Sequence, residues 1–189
     1  MPNMPDAQLC HIGIFVFDVD KMVDFYSRVF GLVVTDRGYS PGRGVHIAFL
    51  SRDPGEHHQV AIASGRHKDA VHTTINQISF RVAGLEELQQ YWPWLVKENV
   101  QKLDPRNHGN AWSIYFADPE GNRVELYCQT PWHVSQPFGE PLDLTKPVAT
   151  IRAETETMVK QDPTCLPMDV FTAQMKKKMA QTLPEAVPA

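Results

Sequence analysis

The chain has 189 residues, with 42% apolar and 21% charged side chains, so it can bury a core without disulfides or structural metals. Its formal net charge of −4 gives no basic footprint for nucleic acid or for an anionic membrane surface. No apolar run approaches the roughly 20 residues of a membrane span, and the first residues lack the features of a signal peptide. Three cysteines without CxxC spacing are typical of reduced thiols, so we expect a cytoplasmic protein.

The first predicted strand covers residues 9–17, where apolar even positions alternate with an opposite face that carries His11. A helix follows, with Asp18 or Asp20 as its N-cap, and Gly31 suits its C-terminus. Gly- and Pro-rich loops then separate three further predicted strands, at residues 32–35, 45–50 and 58–64. The predicted order of elements is β-α-β-β-β.

The same order recurs in the second half of the chain. A strand over residues 75–82 places Gln77 opposite its apolar positions, and a helix over 85–98 follows. Three more strands are predicted at residues 100–103, 112–117 and 123–128. Two copies of one supersecondary unit therefore form a predicted domain over residues 8–128, with modules at about 8–64 and 75–128.

Residues 129–189 differ in character and form a predicted C-terminal extension of an extended arm and helices. Prolines mark the arm, TPWHVSQPFGEP at 130–141, and helices are predicted over about 146–160, with Thr145 as cap, and about 168–182. The arm is predicted to cover a sheet edge or a neighbouring subunit, or to close over the site as a lid. We expect a homo-oligomer.

Three potential metal ligands lie opposite the apolar side of three different predicted strands: His11, Gln77 and Glu125. If the strands curl into a cup, an imidazole nitrogen, an amide oxygen and a carboxylate converge on its inner face. Such a set could hold a divalent metal with open positions. The alternative for each residue alone is structural, because strand histidines are often hydrogen-bonded packing residues and strand glutamates are usually solvated.

Two segments resemble the vicinal oxygen chelate (glyoxalase/bleomycin resistance/dioxygenase) superfamily: HIGIFVFDVDKMVDFYSRVFGL at 11–32 and YFADPEGNRVELY at 115–127. The resemblance covers roughly residues 8–130 and leaves the tail outside. Within the superfamily, the chain is most similar to the catalytic module of type I extradiol ring-cleavage dioxygenases. This resemblance implies an α+β fold in which two βαβββ modules form a curved mixed sheet around a metal-binding cup.

In that dioxygenase family, Fe(II) is held by a histidine on the first strand, a histidine on the fifth and a glutamate on the eighth. His11 and Glu125 match the first and the last of these ligands, whereas Gln77 stands where the second histidine is expected. His72, five residues earlier, has the wrong strand parity to replace it. Glyoxalase I, a relative, does use a glutamine ligand. The resemblance thus implies Fe(II), with Mn, Zn or Ni as alternatives, on His11, Gln77 and Glu125.

Three further residues match catalytic positions of the dioxygenases. His58, in EHHQVAI, matches an acid/base histidine, and His108, in RNHGNAW, matches a second histidine. Tyr115, ten residues before Glu125, matches a tyrosine of the family. Structural roles remain the alternatives for all three: a strand end, a loop surface group and a core residue. The role of His57 is ambiguous, and surface or packing roles are expected for the remaining histidines: His46, His67 and His133.

The implied function is an extradiol-type dioxygenase that cleaves the ring of a catechol-like diol with O2. His58 would act as acid/base, and His108 and Tyr115 would hydrogen-bond the substrate oxygen. A first alternative is a glyoxalase-type isomerase or lyase, which uses its metal as a Lewis acid toward an enediolate. A second is a metal-free binding protein of the same fold. Four apolar side chains are expected to hold the aromatic ring: Phe15, Val60, Ile62 and, at the rim, Trp112.

Overall fold

The structure is a computed structural model, and it describes residues 8–70 and 74–182, so that His72 lies outside the described residues. The predicted α+β class with two βαβββ modules is confirmed. The first module contains β1 (Ile12–Val16), α1 (Val19–Phe30), β2 (Val33–Ser40), β3 (Val45–Ser51) and β4 (Val60–Ser64). The second contains β5 (Ile78–Arg81), α2 (Leu85–Lys97), β6 (Gln101–Asn107), β7 (Ala111–Ala117) and β8 (Arg123–Gln129). The C-terminal part adds β9 (Trp132–His133), β10 (Glu140–Pro141), α3 (Val148–Val159), β11 (Leu166–Pro167) and α4 (Met168–Thr182).

Each module forms its own mixed sheet. Sheet A has the order β1-β4-β3-β2, and sheet B has the order β10-β6-β7-β8-β5. The outermost pairs β1–β4 and β5–β8 are parallel, and the other neighbours are antiparallel. Because β10 pairs with β6, the arm covers one edge of sheet B, as one of the sequence-based alternatives predicts.

Both sheets turn their helix-covered sides toward one shared core. The Phe30 ring of α1 stacks on Phe80 of β5 with centroids 4.0 Å apart and on Phe116 of β7 at 6.1 Å. Helix α1 therefore packs between its own sheet and the sheet of the other module. The opposite sides of both sheets must then point away from this core, and we call them the open faces. The open face of sheet A carries His11, Phe15 and Phe49, and that of sheet B carries Ser79, Tyr115 and Glu125.

The predicted ring-binding residues lie mostly on the wrong side for that role. Parallel pairing joins β1 and β4 with Ile12 opposite Val60, so Val60 and Ile62 share the helix side of sheet A. They are 2% and 0% exposed in the core, and Trp112 is 1% exposed in the core as well. The prediction that these three line a cup is wrong. Phe15 alone of the four lies on an open face.

A turn between β7 and β8, residues 118–122, fastens the second module to the first. The Glu120 carboxylate accepts hydrogen bonds from the backbone N–H groups of Phe17 (2.7 Å) and Asp18 (2.8 Å), where β1 passes into α1. Its other oxygen accepts from Arg66, at 3.2 Å, and both side chains are largely buried. The Tyr26 hydroxyl of α1 donates to Asp118 of the same turn. We call this set of contacts the turn clamp.

The termini of α1 follow the sequence-based expectation. The Asp18 side chain accepts from the Lys21 N–H at 3.0 Å, and Gly31 adopts φ 66° at the C-cap. In contrast, α3 begins directly after Pro147, and the Thr145 hydroxyl donates to Asp143. The prediction of Thr145 as N-cap is therefore wrong, because Asp143 engages the hydroxyl in a local turn.

We expect Asp18→Ala to lower the free energy of unfolding by about 1 kcal/mol, the usual cost of losing an N-cap acceptor. The Glu120 contact to the Asp18 backbone N–H survives this substitution, so the module junction stays intact. Urea titration would measure the change. Asp24→Ala is the matched control, because Asp24 forms only an exposed pair with Arg28 on the same helix and should cost about 0.5 kcal/mol or less.

None of the helices within residues 8–70 and 74–182 is long and apolar enough to cross a membrane. The three cysteines are free thiols, as expected from their spacing.

Candidate functional site

Glu125 is the best-supported side chain on the open face of sheet B. In the strand register it lies between Tyr115 of β7 and Ser79 of β5. Its Oε2 atom accepts hydrogen bonds from Ser79 Oγ (2.5 Å) and Gln77 Nε2 (3.0 Å), and its Oε1 atom accepts from Ser113 Oγ (2.8 Å). Glu125 as a whole is only 7% exposed. Three donors thus hold this carboxylate in one orientation before any ligand binds.

Gln77 lies directly before β5 rather than within it. Its side-chain NH2 group donates to Glu125 and to Ser79 Oγ, both at 3.0 Å. Because the amide nitrogen makes both of these bonds, the amide oxygen keeps its lone pairs for another partner. The structure therefore brings two predicted metal ligands, Gln77 and Glu125, into direct contact.

The two serines that orient Glu125 were missed in the sequence analysis. Ser79 follows Gln77 by two residues and so shares its face of β5, and Ser113 precedes Tyr115 by two residues on β7. Strand parity around the predicted ligands was the available signal, because alternate residues line one face of a strand.

Tyr115 and His108 form a hydrogen-bonded pair beside Glu125. The His108 Nδ1 atom lies 2.7 Å from the Phe138 carbonyl oxygen, which can only accept, so Nδ1 carries the proton. In the neutral imidazole, Nε2 then accepts from the Tyr115 hydroxyl, 3.1 Å away. Burial, reinforced by the neighbouring Glu125, raises the pKa of Tyr115 well above its usual value. Tyr115 therefore remains a proton donor across the physiological pH range.

Two further side chains complete this arrangement. The Arg123 guanidinium carbon lies 3.9 Å from the centroid of the Tyr115 ring, in a cation–π contact. The Gln136 side chain donates to the His108 carbonyl at 2.9 Å. Since Gln136 and Phe138 both belong to the arm, the arm contributes directly to the placement of His108.

The remaining predicted residues lie on the open face of sheet A. His11 directly precedes β1, and His58 lies in the loop before β4, with ring centroids 4.3 Å apart. The Phe49 ring contacts His58 at 4.9 Å. Partial burial, with His11 and His57 nearby, lowers the pKa of His58, so its imidazole is mostly neutral at pH 7. His57 bonds His58 through the two Nδ1 atoms at 3.0 Å, and its other nitrogen faces Asp36 at 3.9 Å.

Within residues 8–70 and 74–182, no hydrogen bond, ion pair or ring contact joins His11 or His58 to the predicted site residues of sheet B. Among the described residues, no group of three His, Cys, Asp or Glu side chains is placed to hold a metal ion. The open faces also point away from the shared core on opposite sides of it. His11 and His58 therefore form one half-site, and Gln77, Glu125, Tyr115 and His108 form the other.

A family model described as the Glyoxalase/Bleomycin resistance protein/Dioxygenase superfamily matches residues 8–126. Among curated proteins, the chain is 25% identical over 125 residues to a probable trivalent organoarsenical cleaving enzyme of Bacillus subtilis, covering 62% of this chain and 77% of that protein. It is 27% identical over 126 residues to the metallothiol transferase FosB of Staphylococcus epidermidis, covering 64% of this chain and 80% of the relative.

Solved structures share the fold. A fosfomycin resistance protein, FosX, of Listeria monocytogenes superposes with a TM-score of 0.53 at 23% identity, covering 66% of this chain and 94% of that chain. A glyoxylase/bleomycin resistance protein/dioxygenase domain from Frankia sp. superposes with a TM-score of 0.56 at 18% identity, covering 66% and 93%. Both matches leave about a third of this chain outside the shared fold.

Proposed function

The chain belongs to the glyoxalase/bleomycin resistance protein/dioxygenase superfamily, and from that membership we propose that it is a metal-dependent enzyme acting on a small molecule with neighbouring oxygen atoms. The observation that carries the proposal is the nearly buried Glu125 carboxylate, which accepts hydrogen bonds from Ser79, Ser113 and Gln77. The amide oxygen of Gln77, beside it, is a second potential metal ligand. An oriented oxygen ligand of this kind is typical of a metal centre.

The donor set fits a divalent metal when two copies of the chain share it. Gln77 and Glu125 of one copy supply two oxygen atoms, and His11 of another copy supplies an imidazole. One imidazole and two oxygen ligands suit Mn(II) or Fe(II), which accept mixed nitrogen and oxygen ligands. When bound, the metal would polarise substrate oxygens as a Lewis acid. A homo-oligomer in which the two open faces meet would complete the site, and it would also cover the half-exposed Phe15.

Metal-assisted chemistry without O2 is the first candidate reaction. The Listeria FosX structure is a complex with Mn(II) and a dihydroxypropylphosphonic acid, and FosB is named a metallothiol transferase. These relatives favour lyase, isomerase or transfer chemistry at a small polar molecule. They also favour Mn(II) over the Fe(II) that the dioxygenase resemblance implies.

Different residues of the chain would then accept a proton and donate a hydrogen bond. His58 is mostly neutral near pH 7 and can accept a proton from the substrate. Tyr115 keeps its proton and donates a hydrogen bond to His108 Nε2, so the hydroxyl would have to turn from His108 to donate to a substrate oxygen. A substrate oxygen that gains charge near Tyr115 would be stabilised by the hydroxyl once it has turned to the substrate, and by the adjacent Arg123.

The extradiol dioxygenase is the second candidate, and the Tyr115–His108 pair favours it. That pair lies on the same open face as Glu125, as the dioxygenase resemblance implies. Elemental analysis of anaerobically purified protein, followed by oxygen-electrode assays with a catechol panel, separates the candidates. We expect bound Mn and no oxygen uptake. Bound iron with catechol-dependent oxygen uptake would establish the dioxygenase, and absence of any metal after reconstitution would contradict both.

We expect His58→Gln to lower kcat by about 100-fold, the lower end of the usual contribution of a general base. In the unaltered protein, burial lowers the pKa of His58, so activity should fall only at a pH below the usual histidine range, where the imidazole becomes protonated. The variant should lose this acid limb of the pH–rate profile. His67→Gln is the matched control, since His67 is exposed and lies after β4. Full turnover by the His58 variant would contradict the assignment.

A further inference from the structure

A cavity of about 980 Å³ lies between the two modules and has no part in the reaction described above. Its first wall is formed by the end of α1 and by the loop between β3 and β4, and its second wall by β5 and α2. This volume is at the upper end of the range for pockets that bind small organic molecules. Each module contributes one wall, so the cavity exists only in the assembled domain.

Two arginines face the cavity from opposite walls, Arg52 from the first module and Arg81 from the second. Neither forms an ion pair with any residue in the described part of the chain. Arg52 is fixed in place, because its Nη1 atom donates to the Phe30 carbonyl at 3.0 Å. Its remaining guanidinium donors are available to a ligand.

The two carboxylates in the cavity wall are engaged in their own loops. Asp53 accepts from the Gly55 N–H at 2.9 Å, and Glu87 accepts from the Ala83 N–H at 2.8 Å. Both acids keep their charge but accept from their own loops, and among the described residues neither forms an ion pair with Arg52 or Arg81. Arginine binds carboxylates through paired N–H donors, so two guanidinium groups indicate an anionic ligand.

Aromatic side chains define the rest of the wall. Tyr91 and Trp94 of α2 line the cavity together with Phe80, whose ring is stacked on Phe30. Flat rings provide a large contact area for another flat apolar group. We infer that this cavity binds a small organic anion with a flat aromatic body, its carboxylate held between Arg52 and Arg81.

The cavity is adjacent to the candidate metal centre without containing its ligands. Ser79 lines the cavity and also donates to Glu125 Oε2 at 2.5 Å. Ser79 is therefore shared between the cavity wall and the hydrogen bonds that orient Glu125. Binding itself needs no metal, and the inference therefore stands or falls separately from the proposed reaction.

Isothermal titration of the metal-free full chain with 2-naphthoate tests the inference, with uncharged 2-naphthalenemethanol as the matched ligand. We expect saturable binding of one naphthoate per chain and at least about tenfold weaker binding of the alcohol. Arg81→Gln should weaken naphthoate binding by about tenfold, and Arg52→Gln by a similar factor. The Arg81 side chain makes no hydrogen bond or ion pair with residues 8–70 or 74–182, and its backbone pairing in β5 is kept, so the variant should melt like the unaltered protein.

Arg43→Gln provides the control for general electrostatics, because Arg43 lies over the Phe15 ring and outside the cavity. This variant should bind naphthoate as the unaltered chain does. Equal weakening by Arg43→Gln and Arg81→Gln, equal affinity for the acid and the alcohol, or absence of saturable binding would each overturn the inference.

Discussion

Replacing Glu125 with glutamine is expected to weaken metal binding by at least about 100-fold and to lower turnover by at least about 1,000-fold. Loss of residues that merely orient a ligand costs roughly 10- to 100-fold in metal affinity, and loss of the ligand itself should cost more. In addition, the new NH2 group would face the hydroxyl and amide donors that now point at the carboxylate. Metal titration and steady-state kinetics measure the two effects.

Glu140→Gln is the control for this substitution, because Glu140 is an exposed residue of β10 on the arm. It should leave metal affinity and turnover unchanged. Unaltered metal affinity in the Glu125 variant would exclude Glu125 as a ligand and with it the proposed centre.

Mixing two inactive variants tests whether the site is shared between copies. His11→Ala and Glu125→Ala each remove a ligand from every site of their own homodimer. In a mixed dimer, one site carries both substitutions and the other carries neither. Random exchange should make half of the dimers mixed, so activity should return to about a quarter of the unaltered level. If mixed dimers form and remain inactive, the ligands do not come from two copies.

Replacing Glu120 with alanine is expected to lower the free energy of unfolding by about 3–5 kcal/mol, the usual cost of breaking a buried ion pair from one side. The turn clamp explains the size of the effect. The substitution leaves the Phe17 and Asp18 N–H groups without their acceptor and Arg66 without its counter-ion. Urea titration followed by circular dichroism would measure it.

Two other substitutions show how much of the lost stability comes from the Glu120 charge and how much from its hydrogen bonds. Glu120→Gln keeps an acceptor oxygen for the backbone N–H groups and loses only the charge opposite Arg66, so its cost should be intermediate. Glu156→Ala removes an exposed glutamate paired with Lys160 and should cost about 0.5 kcal/mol or less. A Glu120→Ala variant as stable as Glu156→Ala would show that the clamp does not join the modules energetically.

Local sequence patterns predicted the elements and the polar side of each strand. Alternation placed His11 and Glu125 opposite the apolar positions, and the open faces confirm this placement. The expected ring-binding role of Val60 and Ile62 is wrong, because the face they occupy depends on the parallel register of β4 with β1, which joins residues nearly 50 positions apart. The alternation of side chains along one strand can be read from that strand alone. The register between two strands depends on a second segment that is distant in the sequence.

The relative placement of the two sheets could not be derived from the sequence. It depends on contacts such as Phe30 with Phe80 and Glu120 with the start of α1, each between distant parts of the chain. Gln77 and Glu125 meet on sheet B, whereas no hydrogen bond joins His11 to either of them in the described part of the chain.

The family resemblance ends near residue 126, yet the hydrogen bond that fixes the His108 tautomer comes from Phe138. A minimal domain cut at residue 129 would retain every predicted ligand and every predicted catalytic side chain. It would nevertheless lose the carbonyl that directs the His108 proton to Nδ1, so that both ring nitrogens would compete for it. Grafting this site onto another member of the fold would therefore require the arm as well, since the tautomer of His108 is encoded outside the shared domain.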